Sequence, residues 1–243
     1  MAIVSSWSHE GGPGEVLAFP VDAAPAPRRV DDGHNFYAAS VMREGLHGQV
    51  LFGWITEGRD AALWQAAGWA GAISLPRRTW LDGDRLCSEP HPAVAGLRVG
   101  SGRAADDATI GAQAEIVVPA VSGTVRVQYD EGHWLDVVLD LEADTLTLDR
   151  SAAGGDAGVD AEAATSTRAF SDHTDWAARI FLDGSVIEVF TSAGRSITSR
   201  VYPTTPPPWH VHAPVGAAAW DLARSISSAN EQEIVRMDPV SVG

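Results

Sequence analysis

The chain has 243 residues, of which 45% are apolar, 32 acidic and 17 basic, giving a net charge of −15. That length suits one large domain or two small ones, and the apolar share is enough for a sizeable core. A field of that sign repels phosphodiester backbones and anionic lipid, so neither nucleic acid nor a membrane surface is an expected partner.

All seventeen basic residues are Arg and no Lys occurs, which removes a catalytic or Schiff-base lysine. No apolar run approaches the ~20 residues of a membrane span. The opening MAIVSSWSHE lacks the cationic n-region and long apolar h-region of a secretory signal, so a cytoplasmic location is expected. The single cysteine, Cys87, permits neither an internal disulfide nor a multi-cysteine zinc site, and is expected in a strand as a small buried hydrophobe.

Taken in chain order, period-2 runs bounded by Gly, Pro, Asp and Asn predict an all-β protein. The first strands are expected at Ala2–Trp7, Glu15–Val21, Asn35–Met42, Gln49–Ile55, Gly71–Leu81 and Arg85–Pro90. Helical pattern is nearly absent; its best case, Ala61–Ala70, is short and interrupted by Gly68. The small, polar Gly100–Thr109 stretch reads as a domain junction. Beyond it, strands are expected at Ala114–Ala120, Gly123–Asp130, His133–Leu141, Thr145–Ser151, Ala177–Gly184, Ser185–Ser192, Ile197–Pro203 and Val215–Leu222. Turn signals recur every ~8–12 residues there, as a two-sheet β-sandwich requires. The low-complexity Ser151–Thr167 is expected as a surface loop, and the proline-rich Thr204–Trp209 as a rigid connector. His210 and His212 fall on one strand face, yet no third ligand follows, so a surface role is expected and no metal site is assigned.

Five blocks carry a more specific signal. DDGHNFYAAS (Asp31–Ser40), VLFGWITE (Val50–Glu57), GWAGAISLPRRTWLDGDRLCSEPHPAVAGLR (Gly68–Arg98), TLTLDRS (Thr145–Ser151) and FLDGSVIEVFTSAGRSITSRVYP (Phe181–Pro203) resemble, in order and spacing, landmarks of glycoside hydrolase family 32. These are the β-fructofuranosidases, invertases, levanases and inulinases. The resemblance implies a five-bladed β-propeller followed by a β-sandwich. It also implies retaining hydrolysis of a terminal β-fructofuranoside such as sucrose or a fructan, with no metal or organic cofactor. The expected division is a truncated propeller segment over 1–99, the last blade or so, and a C-terminal β-sandwich over 100–243.

The departures are as informative. The Asn-Asp-Pro-Asn-Gly, Arg-Asp-Pro and Glu-Cys-Pro motifs that carry the family's nucleophile, transition-state stabiliser and acid/base do not occur. GRDAAL (Gly58–Leu63) lacks the Pro of the second and falls after the Gly-Trp strand, while Asn35 stands where Asp is usual. The expectation is a C-terminal portion beginning just downstream of the Glu-Cys-Pro position. Retaining chemistry needs two carboxyls about 5–5.5 Å apart, so no catalytic residue is assigned and the chain alone is expected to be silent. The surviving part of the pocket is its rim, which the resemblance places at Asp31, His34, Phe36, Tyr37, Trp54 and Trp69. Aromatic faces there would pack on the C–H face of a sugar, with Asp accepting from its hydroxyls. Phe36, Tyr37 and Trp54 equally suit packing between blades, Asp31 and His34 suit solvated loop positions, and Glu188 falls in the sandwich away from the pocket. The expected partner is a β-fructoside. The alternatives are a carbohydrate-binding or self-associating sandwich module, or half of a split enzyme completed by a separately encoded N-terminal half.

Overall fold

The alternating segments do form strands, and the turn residues between them set where each ends. A computed structural model describes residues 1–9, 12–21, 26–44, 48–154, 165–169 and 175–223. Its first part contains β1 (Ala2–Ser8), β2 (Gly12–Phe19), β3 (Arg28–Arg29), β4 (Phe36–Glu44), β5 (Gly48–Ile55), β6 (Ala72–Ile73), β7 (Arg77–Asp82) and β8 (Arg85–Pro90). Its second part contains β9 (Arg98–Ala104), β10 (Ala108–Ile110), β11 (Gln113–Val118), β12 (Gly123–Gln128), β13 (Trp134–Asp140) and β14 (Thr145–Asp149). It continues through β15 (Thr165–Ala169), β16 (Ala178–Asp183), β17 (Val186–Thr191), β18 (Ser196–Arg200), β19 (Trp209–His212) and β20 (Ala218–Leu222).

These strands make four antiparallel sheets. The first ninety residues supply two of them, ordered β1-β2-β3 and β4-β5-β7-β8, with β6 added beside β5. Val16, Ala18, Val30, Phe36 and Leu51 join the pair through a small common core. The other two sheets have six strands each, ordered β10-β19-β12-β13-β14-β15 and β18-β17-β16-β11-β20-β9. Their inward side chains form a single large cluster in which Leu135, Val137 and Leu139 of β13 meet Ile116, Ile180 and Val189 of the opposite sheet. Trp176 is fully buried in that cluster, and its indole N–H donates to Asp144 at 3.1 Å, so the ring's one polar group is satisfied.

Three local expectations change. The Gly100–Thr109 stretch is not a junction: Arg98–Ala104 pairs with β20 and Ala108–Ile110 with β19. Its sequence is small and polar because β9 is a mostly exposed edge strand, and because the Trp220 ring lies 2.3 Å from where a Cβ on Gly102 would sit. The single strand expected over Gly71–Leu81 is split at Ser74–Pro76. There the backbone leaves the ladder: Leu75 N–H donates to the Glu188 carboxylate at 2.7 Å, and Pro76 has no N–H. The weak helical signal does become a helix, α1 (Ala61–Ala67), because Asp60 caps its start by accepting from Leu63 N–H at 2.9 Å. Gly68, at φ 76°, ends it in the left-handed conformation that only glycine adopts cheaply. Of the low-complexity segment, residues 155–164 lie outside the described residues, and Thr165–Thr167 begin β15.

Cys87 lies buried in β8, and His210 and His212 lie on the exposed face of β19. Among the described residues no helix is long and apolar enough to cross a membrane.

Candidate functional site

The sheets of the first ninety residues meet the β16-β17-β18 edge along a polar seam, and most of the distinctive motifs converge there. Strand β17 is buried on both faces. Ile187 and Val189 enter the large cluster, while Glu188 and Phe190 face the seam from the other side of the strand. Arg77, the first residue of β7, has no exposed side-chain surface and lies between them. Its Nη1 donates to Asp31 Oδ2 at 2.8 Å and to Ser196 Oγ at 3.0 Å, and its Nη2 donates to Glu188 Oε2 and Thr198 Oγ1, each at 2.6 Å. The guanidinium is sandwiched between the Phe36 and Phe190 rings, 4.2 and 4.9 Å from their centroids, and its Nε has no hydrogen-bond partner among the described residues.

Asp31 is therefore not the solvated loop residue expected from the sequence. Its carboxylate is interior because five donors reach it: the Gly33 and Thr198 amides, the Ser196 and Thr198 hydroxyls, and Arg77. Burial works to raise its pKa, but the Arg77 guanidinium and the two hydroxyls outweigh it and hold the carboxyl below its ordinary value. Among the described residues Glu188 has only Arg77 and the Leu75 amide as donors, and burial pushes it up. Both carboxyls bind one arginine, the nearest approach to a glycosidase dyad at the seam. The arginine fills the space between them, so no sugar can enter there. Glu188 lies on β17 of a six-stranded sheet and is joined to Asp31 through that arginine.

The flanking loop is fixed in the same way. Asp32 is paired with Arg195. The Asn35 side chain accepts from Arg200 N–H at 3.1 Å and Ser199 Oγ at 3.3 Å, and donates to Thr56 Oγ1 at 3.2 Å. An amide can both donate and accept, which a carboxylate in its place could not do. A Cβ on Gly33 would lie 2.0 Å from the Thr198 carbonyl oxygen, so the loop docks at this distance only with glycine.

Beside the seam, Glu57 forms a second cluster. Its Oε1 accepts from Arg59 Nε at 2.8 Å and from the Tyr202 hydroxyl, and its Oε2 accepts from Arg59 Nη2 at 2.9 Å and Gly71 N–H at 3.2 Å. Arg59 lies over Trp69 at 4.1 Å and Tyr202 at 5.0 Å. Burial tends to raise Glu57, yet hydrogen bonds from Arg59, Tyr202 and Gly71 lower it from 4.5 to about 2, while Tyr202 is pushed up to about 12 by burial and its bond to Glu57. A carboxyl depressed on folding adds stability that is complete above its unfolded value and lost as pH falls through the folded one. The stability advantage of the wild type over Glu57→Gln is thus expected to shrink between pH 4.5 and about 2. Urea titrations of both proteins across that range test it; a constant gap would mean that Glu57 is not held ionised.

The remaining rim candidates separate. Phe36 is interior, beneath Arg77, and His34 is exposed. Tyr37 and Trp54 form a surface strip with Trp7 of β1, at ring spacings of 6.3 Å (Trp7–Tyr37) and 6.4 Å (Tyr37–Trp54). Trp7 is 63% exposed and Trp54 38%. Trp69 sits apart from them, against Arg59. Sequence reasoning missed Trp7, Glu57, Arg59 and Arg77. For Glu57 the available signal was its place closing the VLFGWITE block; for Arg77, nothing local distinguishes it from the exposed Arg78 beside it. Among the described residues, no three His, Cys, Asp or Glu side chains are grouped to hold a metal.

Known proteins resemble the chain along most of its length. The family profile described as "Glycosyl hydrolases family 32 N-terminal domain" matches residues 17–90, and "Glycosyl hydrolases family 32 C terminal" matches residues 99–220. A Zea mays protein named beta-fructofuranosidase, cell wall isozyme, is 33% identical over 133 residues, covering 52% of this chain and 21% of its own. The raffinose invertase of Escherichia coli is 27% identical over 186 residues, covering 72% of this chain and 38% of its own. Among solved structures, a Bombyx mori GH32 beta-fructofuranosidase superposes with a TM-score of 0.71 at 23% identity, over 88% of this chain and 48% of that one. Fructan 1-exohydrolase IIa from Cichorium intybus gives 0.68 at 17% identity, over 86% and 54%. The fold is shared, and the chain spans about half or less of the length of each of these relatives.

Proposed function

The chain belongs to glycoside hydrolase family 32, and on that premise we propose that it is the C-terminal part of a β-fructofuranosidase-like hydrolase. In this reading the two small sheets are the end of the family's β-propeller, roughly 1–99, and the two six-stranded sheets are its β-sandwich, roughly 100–243. The observation that carries it is the order of the matches, the N-terminal profile on 17–90 followed by the C-terminal profile on 99–220. The substrate class is a terminal β-fructofuranoside. The side chains placed to meet it are Tyr37 and Trp54, with Trp7 extending their strip, because an exposed indole offers a flat apolar plate to a sugar's C–H face.

The described residues act on this substrate by binding rather than by bond cleavage. Asp31 and Glu188 are both committed to Arg77, and Glu57 to Arg59, Tyr202 and three backbone amides. None is placed to act as nucleophile or as proton donor. Purified chain is expected to bind sucrose weakly at the strip without hydrolysing it, and Trp54→Ala is expected to weaken that binding at least tenfold. Titration followed by NMR, with a parallel reducing-sugar assay, tests both statements. Sucrose turnover abolished by one Asp or Glu substitution would overturn the silent reading.

One observation favours a covering partner. Val4, Val41 and Met42 are all more than a third exposed, on the first two sheets. Apolar surface of that kind marks an interface. The matching occupant is the further propeller part of a family member, in the same polypeptide or a separate one, with self-association as the alternative.

A further inference from the structure

Strand β4 does not run evenly beside β5. Tyr37 stands opposite Trp54 and Ser40 opposite Phe52, so Ala38 and Ala39 together face the single residue Gly53. This is a β-bulge, in which one extra residue bends a strand and re-aims the side chains beside it. Gly53 turns its polar groups to Ser74: its amide donates to Ser74 Oγ and its carbonyl accepts from Ser74 N–H, each at 2.9 Å. A side chain at position 53 is excluded as well, since a Cβ there would lie 2.2 Å from the Phe36 ring.

The extra residue is strained. Ala38 has φ 46°, in the left-handed region that residues other than Gly, Asn and Asp seldom enter. It is exposed, whereas Tyr37 and Ala39 on either side both pack on the small core of the first two sheets. The effect of the conformation falls on its neighbour. Tyr37 is the middle ring of the aromatic strip, 6.3 Å from Trp7 and 6.4 Å from Trp54. Trp54 is fixed in turn by Gly71, also left-handed at φ 70°, where a Cβ would lie 2.1 Å from the indole Nε1.

We propose that Ala38 is a positioning residue for sugar binding, whose left-handed bulge aims Tyr37 so that three rings from two sheets present one preformed plate. Strained backbone persists where a binding site needs fixed geometry, and a plate ordered before the sugar arrives loses less entropy on binding. The role rests on the reading of the strip as the fructoside-binding surface.

Two substitutions of similar size separate backbone from side chain. Asn tolerates the left-handed region, whereas β-branched Val is a marked outlier there. Position 38 is exposed, so neither side chain has to enter the core. The labelled full chain is followed through its tryptophan indole N–H signals, with and without sucrose. In Ala38→Val the Trp54 signal is expected to shift before any sugar is added, and sucrose to bind about tenfold more weakly. Ala38→Asn is expected to keep the Trp54 signal and to bind within about twofold of wild type. The Trp176 and Trp209 signals, from the large cluster, should be unchanged in both. A Trp54 signal or a sucrose affinity unmoved by Val, or an Asn variant as weak as Val, would overturn the positioning role. Loss of the Trp176 and Trp209 signals would do so too, since a residue that only aims Tyr37 does not hold the six-stranded sheets together. If the Trp54 signal responds as expected but wild-type chain does not bind sucrose, the bulge still sets the strip and the fructoside reading falls.

Discussion

Arg77→Ala is expected to cost about 3–5 kcal/mol of folding stability, the penalty typical of removing one partner from a buried charge cluster. The substitution leaves the Asp31 and Glu188 carboxylates inside the protein without their common counter-charge, and it also opens a gap between the Phe36 and Phe190 rings. Asp31 would retain its two amide and two hydroxyl donors, whereas Glu188 would retain only the Leu75 amide. Glu188 should therefore take up a proton more readily in the variant than in the wild type, and the deficit should narrow as pH falls. The seam would fail before the large cluster, because Arg77 lies outside it. Hydrogen exchange should accordingly lose protection in β4 to β8 first, with β13 and β16 following only on global unfolding. Urea titration of wild type and variant gives the magnitude; a difference below about 1 kcal/mol would mean that the carboxylates are not held by this arginine.

Trp176→Ala is expected to cost a similar amount, about 3–5 kcal/mol, by a different mechanism. The ring is fully buried between the two six-stranded sheets, so its removal loses transfer free energy and leaves a cavity that rigid strands on both sides cannot close. Asp144 also loses the indole as a donor. Here protection should fall across β11, β13 and β16 together, leaving the seam no weaker than the rest. Loss confined to the residues next to Trp176 would show that the two sheets do not share one cooperative core. The two variants thus ask separately whether the molecule is one folding unit or two.

Much of this architecture is legible residue by residue. Gly123–Gln128, Trp134–Asp140 and Val186–Thr191 form strands where alternation or apolar runs predict them, and β8 occupies the six residues Arg85–Pro90 as read. Errors arise where a strand has little to bury. The exposed β9 reads as a junction because its burial pattern carries no alternation, and its pairing with β20 lies more than a hundred residues away in sequence. Arg77 and Arg78 are adjacent and chemically identical, yet one is fully buried and the other exposed. Nothing local tells them apart, since what buries Arg77 is a pair of carboxylates at positions 31 and 188.

The same division holds for the site. By itself the sequence determined the all-β class, the family, and the absence of the family's three carboxylate motifs, because strand period, turn chemistry and motif strings are local properties. Tertiary structure alone decided that Asp31 is an interior ion-pair partner rather than a rim acceptor, and that Phe36 lines its cage. It also separated Trp69 from Tyr37 and Trp54, and brought Trp7 beside them. Asp31 meets Thr198 across 167 positions of chain and Arg77 meets Glu188 across 111. A carboxylate's role depends on which donors surround it and how far water is excluded, and both are fixed only when distant strands pack.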